Sequence, residues 1–223
     1  MSISLNKNPE FKRIISHFNL KKIKDGVGHD NKGLWCDLCV KSKVIMHFSD
    51  DGFGGDSEHN FTSDVNEKYL TDFAKKNNLA QMLFDNGYGF RDAVEKVSLS
   101  DVYDEIVSVL YNIKISEKAE KLILKRCEAN FVYGKNINSY AFSGYKGVKS
   151  LSQMSNVKGG SSRLQEHYNE IVQSLKSGEK IFNSDEQLIS LGIKIKNKTN
   201  IIQLSTQYLQ STQLIASSYQ INR

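Results

Sequence analysis

Leu34-Trp35-Cys36-Asp37-Leu38-Cys39-Val40 and Val44-Ile45-Met46-His47-Phe48, joined by Lys41-Ser42-Lys43, decide the fold class of this chain. Leu34, Cys36, Leu38 and Val40 alternate with other residues, and Val44, Met46 and Phe48 do the same. A period of two puts one set of side chains on one sheet face, so the segment predicts a β-hairpin. Upstream, Asn8 precedes Pro9, and Phe11, Ile14, Ile15 and Phe18 fall at helical spacing. An N-cap, a first-turn proline and that apolar face predict a helix over 9–19. The stretch 21–32, with Gly26 and Gly28, reads as a loop leading to Gly33 and the hairpin.

Beyond the hairpin, Asp50–Asp56 is turn-rich, and Asp64 with Glu67 three residues on resembles a capping box. Val65, Tyr69, Leu70 and Phe73 are the expected buried stripe of that helix, and 79–84 is expected to be a strand. Phe48–Gly54 and Phe84–Gly89 then share an order of strand, acidic turn, Gly, aromatic, Gly, which common turn chemistry accounts for. From Ser98 the period becomes helical. Val102, Ile106, Val109, Leu110 and Ile113 share one face, and Ser116 is expected to cap a second helix through Ala119, Leu122, Ile123, Cys127 and Phe131. A glycine- and aromatic-rich stretch covers 132–160, helices are expected over 162–176 and 185–191, and Ile193-Lys194-Ile195-Lys196 alternates. The Gln-, Ser- and Thr-rich tail from Asn197 is expected to be a docked or frayed terminal helix. The expectation is an α+β protein: a mixed part over 1–97 with a small, mainly antiparallel sheet, then a mostly helical basic part over 98–223. No Pro- or Ser-rich linker separates the two, so one continuous domain is equally open.

The chain of 223 residues is 39% hydrophobic and 25% charged, which places it among globular proteins and not disordered ones. No stretch approaches the roughly 18 apolar residues of a membrane span, and Met1–Lys7 lacks the apolar core of a signal peptide. Three cysteines, an odd number, make a disulfide framework unexpected and a reducing cytoplasm the expected location. Net charge is unevenly spread: residues 1–111 hold 14 Lys/Arg against 17 Asp/Glu, while 112–223 hold 16 against 8. A basic half points to a polyanionic partner. Lysine outnumbers arginine 25 to 5, a bias that weakens any inference from lysine number alone.

Cys36 and Cys39 form a C-x-x-C. Redox use would place the first cysteine at a helix N-terminus, and the thioredoxin-like arrangement adds a cis-proline, whereas this pair lies in a strand pattern and Pro9 is the only proline. Cys36, Cys39, His47 and His59 could supply four zinc ligands, but a tight second pair is missing and the odd offset puts the cysteines on opposite strand faces. The pattern favours cysteines as small apolar residues and no bound cofactor. The acidic loop Asp50–Glu58 fails the EF-hand spacing, since positions three, five and twelve counted from Asp50 are Gly52, Gly54 and Phe61.

The acid-free window carries more. Between Glu128 and Glu166 there is no Asp or Glu, while Lys135, Lys146, Lys149, Lys158 and Arg163 interleave with Phe131, Tyr133, Tyr140, Phe142 and Tyr145. Cations neutralise phosphates and rings stack on unpaired bases, so this mixture suits single-stranded nucleic acid or RNA more than duplex. Lys158-Gly159-Gly160 before a predicted helix offers backbone N–H groups to an anion. The candidate contact set is therefore Lys135, Tyr140, Tyr145, Lys146, Lys149, Lys158, Gly159, Gly160 and Arg163. Lys114, Lys118, Lys121 and Lys125 make a further helical stripe, tempered by Glu117 and Glu120.

These features predict a non-enzymatic protein that binds nucleic acid or a nucleic-acid-bound protein complex and modulates it. Inhibitors of CRISPR or restriction systems on phages and mobile elements are the matching class in size and composition. Two alternatives stand beside this. One is a metal-dependent nuclease or other phosphoryl-chemistry enzyme built on the acidic loop, and the other is an adaptor that self-associates through its tail.

Overall fold

The computed structural model describes residues 5–26, 33–53, 56–87 and 97–195. The protein is α+β, with two small antiparallel sheets among helices, and it divides into two compact units, Met1–Lys114 and Ile115–Arg223. No helix of the described residues is long and apolar enough to cross a membrane.

The first unit opens with a 3-10 turn, Leu5–Lys7, and α1, Pro9–Ile15. Asn8 caps α1 as its sequence predicts: its side chain accepts from the N–H groups of Glu10 and Phe11 at 3.0 and 3.1 Å. The helix ends four residues short of the expected 19, and Phe18 instead opens strand β1, Phe18–Asp25. Residues 21–25 of the expected loop are thus strand, and 27–32 lie outside the described residues. Lys21, Lys22 and Lys24 are exposed there, so β1 shows no apolar alternation after Leu20. The predicted hairpin is present as β2, Leu34–Val40, and β3, Lys43–Asp50, and β4, Glu58–Phe61, adds a strand that the sequence did not announce. The order is β1-β2-β3-β4, all antiparallel, and Leu20, Leu38, Met46 and Phe61 lie opposite one another in a row across the sheet. That row shares one core with Leu70, Leu83 and Ile106.

Several helical expectations shift. In α2, Asp64–Lys76, the cap is Ser63 and not Asp64, with Ser63 Oγ accepting from the Asn66 N–H at 3.3 Å. Val65 and Tyr69 are exposed, while Leu70 and Ala74 are buried and Phe73 packs on the core. The expected strand over 79–84 is a helix, α3, Leu79–Asp85. Ala80, Gln81, Met82 and Leu83 are good helix formers, and Leu79 and Leu83, one turn apart, are both fully buried. The segment resembling Phe48–Gly54 therefore begins inside a helix, at Phe84 and Asp85, and its residues 88–89, like residue 54, lie outside the described residues. The two helices expected after Ser98 are one, α4, Leu99–Ala129. Its start is fixed by reciprocal bonds, Asp101 N–H to Ser98 Oγ at 3.1 Å and Ser98 N–H to Asp101 Oδ2 at 2.7 Å. Ser116 is an interior helical residue and caps nothing, since serine costs only a few tenths of a kcal/mol inside a helix.

In the second unit the glycine- and aromatic-rich stretch over 132–160, to which the sequence assigned no element, holds most of a hairpin: β5, Asn130–Asn136, and β6, Ser139–Gly144. With β7, Lys180–Ile181, they form a sheet of order β6-β5-β7. Helices α5, Leu151–Ser155, α6, Gly160–Ser174, and α7, Asp185–Ser190, complete the unit. One sheet face packs on Leu164, Tyr168 and Ile171 of α6 through Phe131, and the other places Val132 against Ile123 and Cys127 of α4. Asn183, buried, joins the parts. Its Oδ1 accepts from the Val132 N–H at 2.8 Å, and its Nδ2 donates to Cys127 O at 3.1 Å and Asn130 O at 2.9 Å. Ile193 is buried but not in a strand, with Lys194 N–H held by Gln165 Oε1 at 2.6 Å. Lys196 and the tail lie outside the described residues.

Two stability measurements follow from these contacts. Asn183→Ala takes the side-chain partner from the buried Val132 N–H and from Asn130 O, Cys127 O keeping Gln187, and is expected to lower stability by about 1–3 kcal/mol in urea unfolding. Glu105 on α4 has its carboxyl pushed up to about 7, first by burial and then by neighbouring Asp104. A raised carboxyl holds its proton longer in the folded state, so stability falls as pH rises from the unfolded value through about 7. Glu105→Gln is expected to remove that slope, raising Tm relative to the native chain at pH 8 and not at pH 4.

Candidate nucleic-acid interface

The acid-free window folds into the β5–β6 hairpin, the turn after it and the α5–α6 corner. Gly134 pairs with Tyr140 and Asn136 with Ser139, which leaves Lys135 as the extra residue of a bulge, exposed at the hairpin end. The turn is closed by Asn138 N–H on Asn136 Oδ1 at 2.9 Å. β6 is an edge strand. Alternation along it sends Tyr140 and Phe142 to the side where Val132 packs on α4, and Ala141 and Ser143 to the α6 side.

The structure separates the nine candidates into two groups. Lys135 and Tyr140 sit at the hairpin end, Tyr140 half-buried against the cluster of Ile123, Cys127, Val132 and Phe182. Tyr145 packs on the opposite cluster, with its ring 5.3 Å from that of His167, and its hydroxyl donates to Arg163 O at 3.0 Å. That bond brings the Tyr145–Lys146–Lys149 turn to the first turn of α6, where Arg163 is exposed. The two tyrosines thus belong to opposite faces of the sheet. Among the described residues, none of Lys135, Lys146, Lys149, Lys158 or Arg163 forms an ion pair.

The glycine pair has a structural reason to be there. Gly159 has φ 73°, and a Cβ on Gly160 would run into Met154 O where α5 turns into α6. The Gly160 N–H is already bonded to Val157 O at 2.8 Å and is not offered to an anion.

Two residues outside the predicted set stand at the centre of the first group. The Arg126 guanidinium of α4 lies 5.3 Å from the Tyr140 ring centroid and 4.7 Å from that of Phe142. Phe142 remains 52% exposed. A signal for Arg126 existed in the composition: in a chain that uses lysine five times as often as arginine, an arginine marks a place where a planar, stacking cation is needed.

The metal candidates do not converge. His47 lies opposite Asn60, and His59 opposite Phe48, so the two imidazoles lie on opposite faces of the first sheet. His47 Nδ1 bonds Asp37 Oδ1 at 2.6 Å, with Lys22 Nζ 3.0 Å from the other carboxylate oxygen, and His59 Nε2 bonds Asp104 Oδ1 at 2.8 Å. Burial pushes the Asp37 carboxyl up, but the hydrogen bonds from His47 and Lys22 outweigh it and hold it below its usual value. Among the described residues no three His, Cys, Asp or Glu side chains gather as metal ligands. Burial, then Asp37 and Cys39, push the Cys36 thiol up to about 12, so at neutral pH it stays protonated and a poor nucleophile. In the acidic loop, Asp50 and Asp51 accept from the N–H groups of Gly52 and Phe53 at 2.8 and 2.9 Å, the bonds of two local turns.

Gly160→Ala is expected to destabilise the chain by about 1–3 kcal/mol through the clash with Met154 O, measured as a lower urea midpoint. An unchanged midpoint would overturn this packing reason for Gly160. Comparison of the chain with protein-family models, with curated proteins and with solved structures found no match in any of the three.

Proposed function

We propose that the second unit of this chain is a non-catalytic binding module that engages single-stranded nucleic acid, RNA above duplex DNA, free or within a nucleic-acid-handling complex. The observation that carries the reading is the Arg126–Tyr140–Phe142 arrangement on an edge strand inside an acid-free stretch of chain. An exposed ring backed by a guanidinium is a surface on which an unpaired base stacks with little regard to its identity. The unpaired cations at Lys135, Lys146, Lys149, Lys158 and Arg163 supply the phosphate contacts that such stacking needs. The unit Ile115–Arg223 carries 15 Lys/Arg against 8 Asp/Glu, so its field attracts polyanions.

Occupying a strand or a guide in this way is enough to block a complex that must read it. Inhibition of a CRISPR or restriction complex, from a phage or mobile element, is the biological setting this reading favours. Cytoplasmic residence agrees with three free cysteines, all buried.

Fluorescence anisotropy with labelled single-stranded RNA, single-stranded DNA and duplex tests it. Phe142→Ala and Arg126→Gln are expected to weaken single-strand binding by roughly 5- to 150-fold, the worth of about 1–3 kcal/mol per stacked base. Lys146→Gln with Lys149→Gln is expected to reduce the slope of log affinity against log salt by about 1.4. Absence of binding at low salt, or wild-type affinity in all these variants, would leave a protein surface as the partner and sink the nucleic-acid reading.

A further inference from the structure

A serine, a histidine and an aspartate meet at a cleft of the first unit that nucleic-acid binding does not use. In β4, His59 lies opposite Phe48 on the core face, whereas Glu58 and Asn60 belong to the other face. Ser100 and Asp104, four residues apart near the start of α4, fall on one side of the helix. His59 Nε2 lies 2.8 Å from Asp104 Oδ1, and Ser100 Oγ lies 3.5 Å from His59 Nδ1. Ser57 Oγ donates to the same Asp104 oxygen at 2.7 Å. The imidazole is held between the rings of Phe48 and Tyr103, with centroids 5.6 and 5.5 Å away.

The arrangement has a direction. A carboxylate only accepts, so the proton of neutral His59 sits on Nε2, and the Nδ1 lone pair faces the Ser100 hydroxyl. His59 is sheltered, its side chain 11% exposed, while Ser100 is open to solvent. A Ser–His separation of this length is ordinary before substrate binds. The Asp101 N–H is taken by Ser98 Oγ, but the Ser100 N–H in the first turn of α4 has no intrahelical acceptor and suits a developing oxyanion. In front lies a cleft of about 440 Å³ lined by His59, Phe61, Asp64, Glu67, Ser100 and Tyr103. Two carboxylates and two aromatic rings, with no lysine or arginine among the described residues of the lining, fit an uncharged or cationic ligand and repel an anionic one.

We propose that this cleft is an acyl-transfer site for small esters, cationic ones above all, with Ser100 as nucleophile, His59 as general base and Asp104 as the residue that positions it. Ser100 Oγ bonds to the acyl carbon while its proton passes to His59 Nδ1. The ester C–O bond then breaks, and the leaving alcohol takes that proton. Water attacks the acyl-serine, giving a proton to Nδ1; the acid departs as Ser100 Oγ recovers the proton. No oxidant or further reactant is needed.

The test uses the full chain with acetylthiocholine, 4-nitrophenyl acetate and a fluorophosphonate probe. A single probe adduct mapped to Ser100, and hydrolysis reduced at least about 100-fold in Ser100→Ala, are expected. Ser100 is exposed, so this variant keeps the fold where a His59 replacement, clamped between two rings, could lose it. Asp104→Asn is expected to lower kcat with little change in KM. Asp64→Asn with Glu67→Gln is expected to raise KM for acetylthiocholine more than for 4-nitrophenyl acetate. Hydrolysis no faster than that of free imidazole, an adduct elsewhere, or wild-type turnover in Ser100→Ala would overturn the proposal. Equal KM changes for the two esters would overturn its cationic preference.

Discussion

A helix that ends inside a protein leaves carbonyl groups that must find donors, and in the second unit that obligation falls on Asn183. One side chain bonds Cys127 O at the end of α4, Asn130 O at the opening of β5 and the Val132 N–H within it. Gln187 of α7 donates to the same Cys127 oxygen. The direction in which the chain leaves α4 is therefore set by polar bonds in an apolar setting, where an unmade bond is expensive. Arg126 immediately precedes Cys127. The guanidinium reaches the rings of β6 because the helix end and the hairpin are pinned to each other one residue away.

How much of this was legible follows from what each pattern depends on. The β2–β3 hairpin was legible because one face is buried and the other is not, which writes alternation into the residues. β1 was not, because three exposed lysines follow Leu20 and contribute no period. The helix over 79–85 was mistaken for a strand because a seven-residue segment, five of its residues apolar, carries too few turns to show its period. Only Leu79 and Leu83, one turn apart, hint at it. The β5–β6 hairpin was hidden for the opposite reason: Phe131 and Val132 are both buried, against different clusters, so the strand has no polar face to alternate with.

The candidate surface was legible in composition and not in arrangement. An acid-free run can be counted, but whether its rings share a face depends on strand parity. The strand that decides parity went unrecognised. Tyr140 and Tyr145, odd in spacing and separated by the end of β6, fall on opposite sides of the sheet. Phe142, two residues from Tyr140, shares its side, and Arg126 comes from a helix that no local pattern in the window could supply. The serine, histidine and aspartate of the first unit were out of reach for the same reason: 41 residues separate Ser100 from His59, and only the packing of β4 on α4 joins them.

The burial of Cys36, Cys39 and Cys127 has a use of its own. Two of the three thiols are pushed up to about 12 and the third is also raised, chiefly by burial, so all three remain protonated under conditions in which an exposed thiol reacts readily. The folded chain is therefore nearly silent toward maleimides and iodoacetamides. A cysteine introduced at exposed Lys135 or Lys149 would be the single fast-reacting position. Fluorophores, spin labels and photo-crosslinkers could be attached there one at a time without removing a native residue from either core.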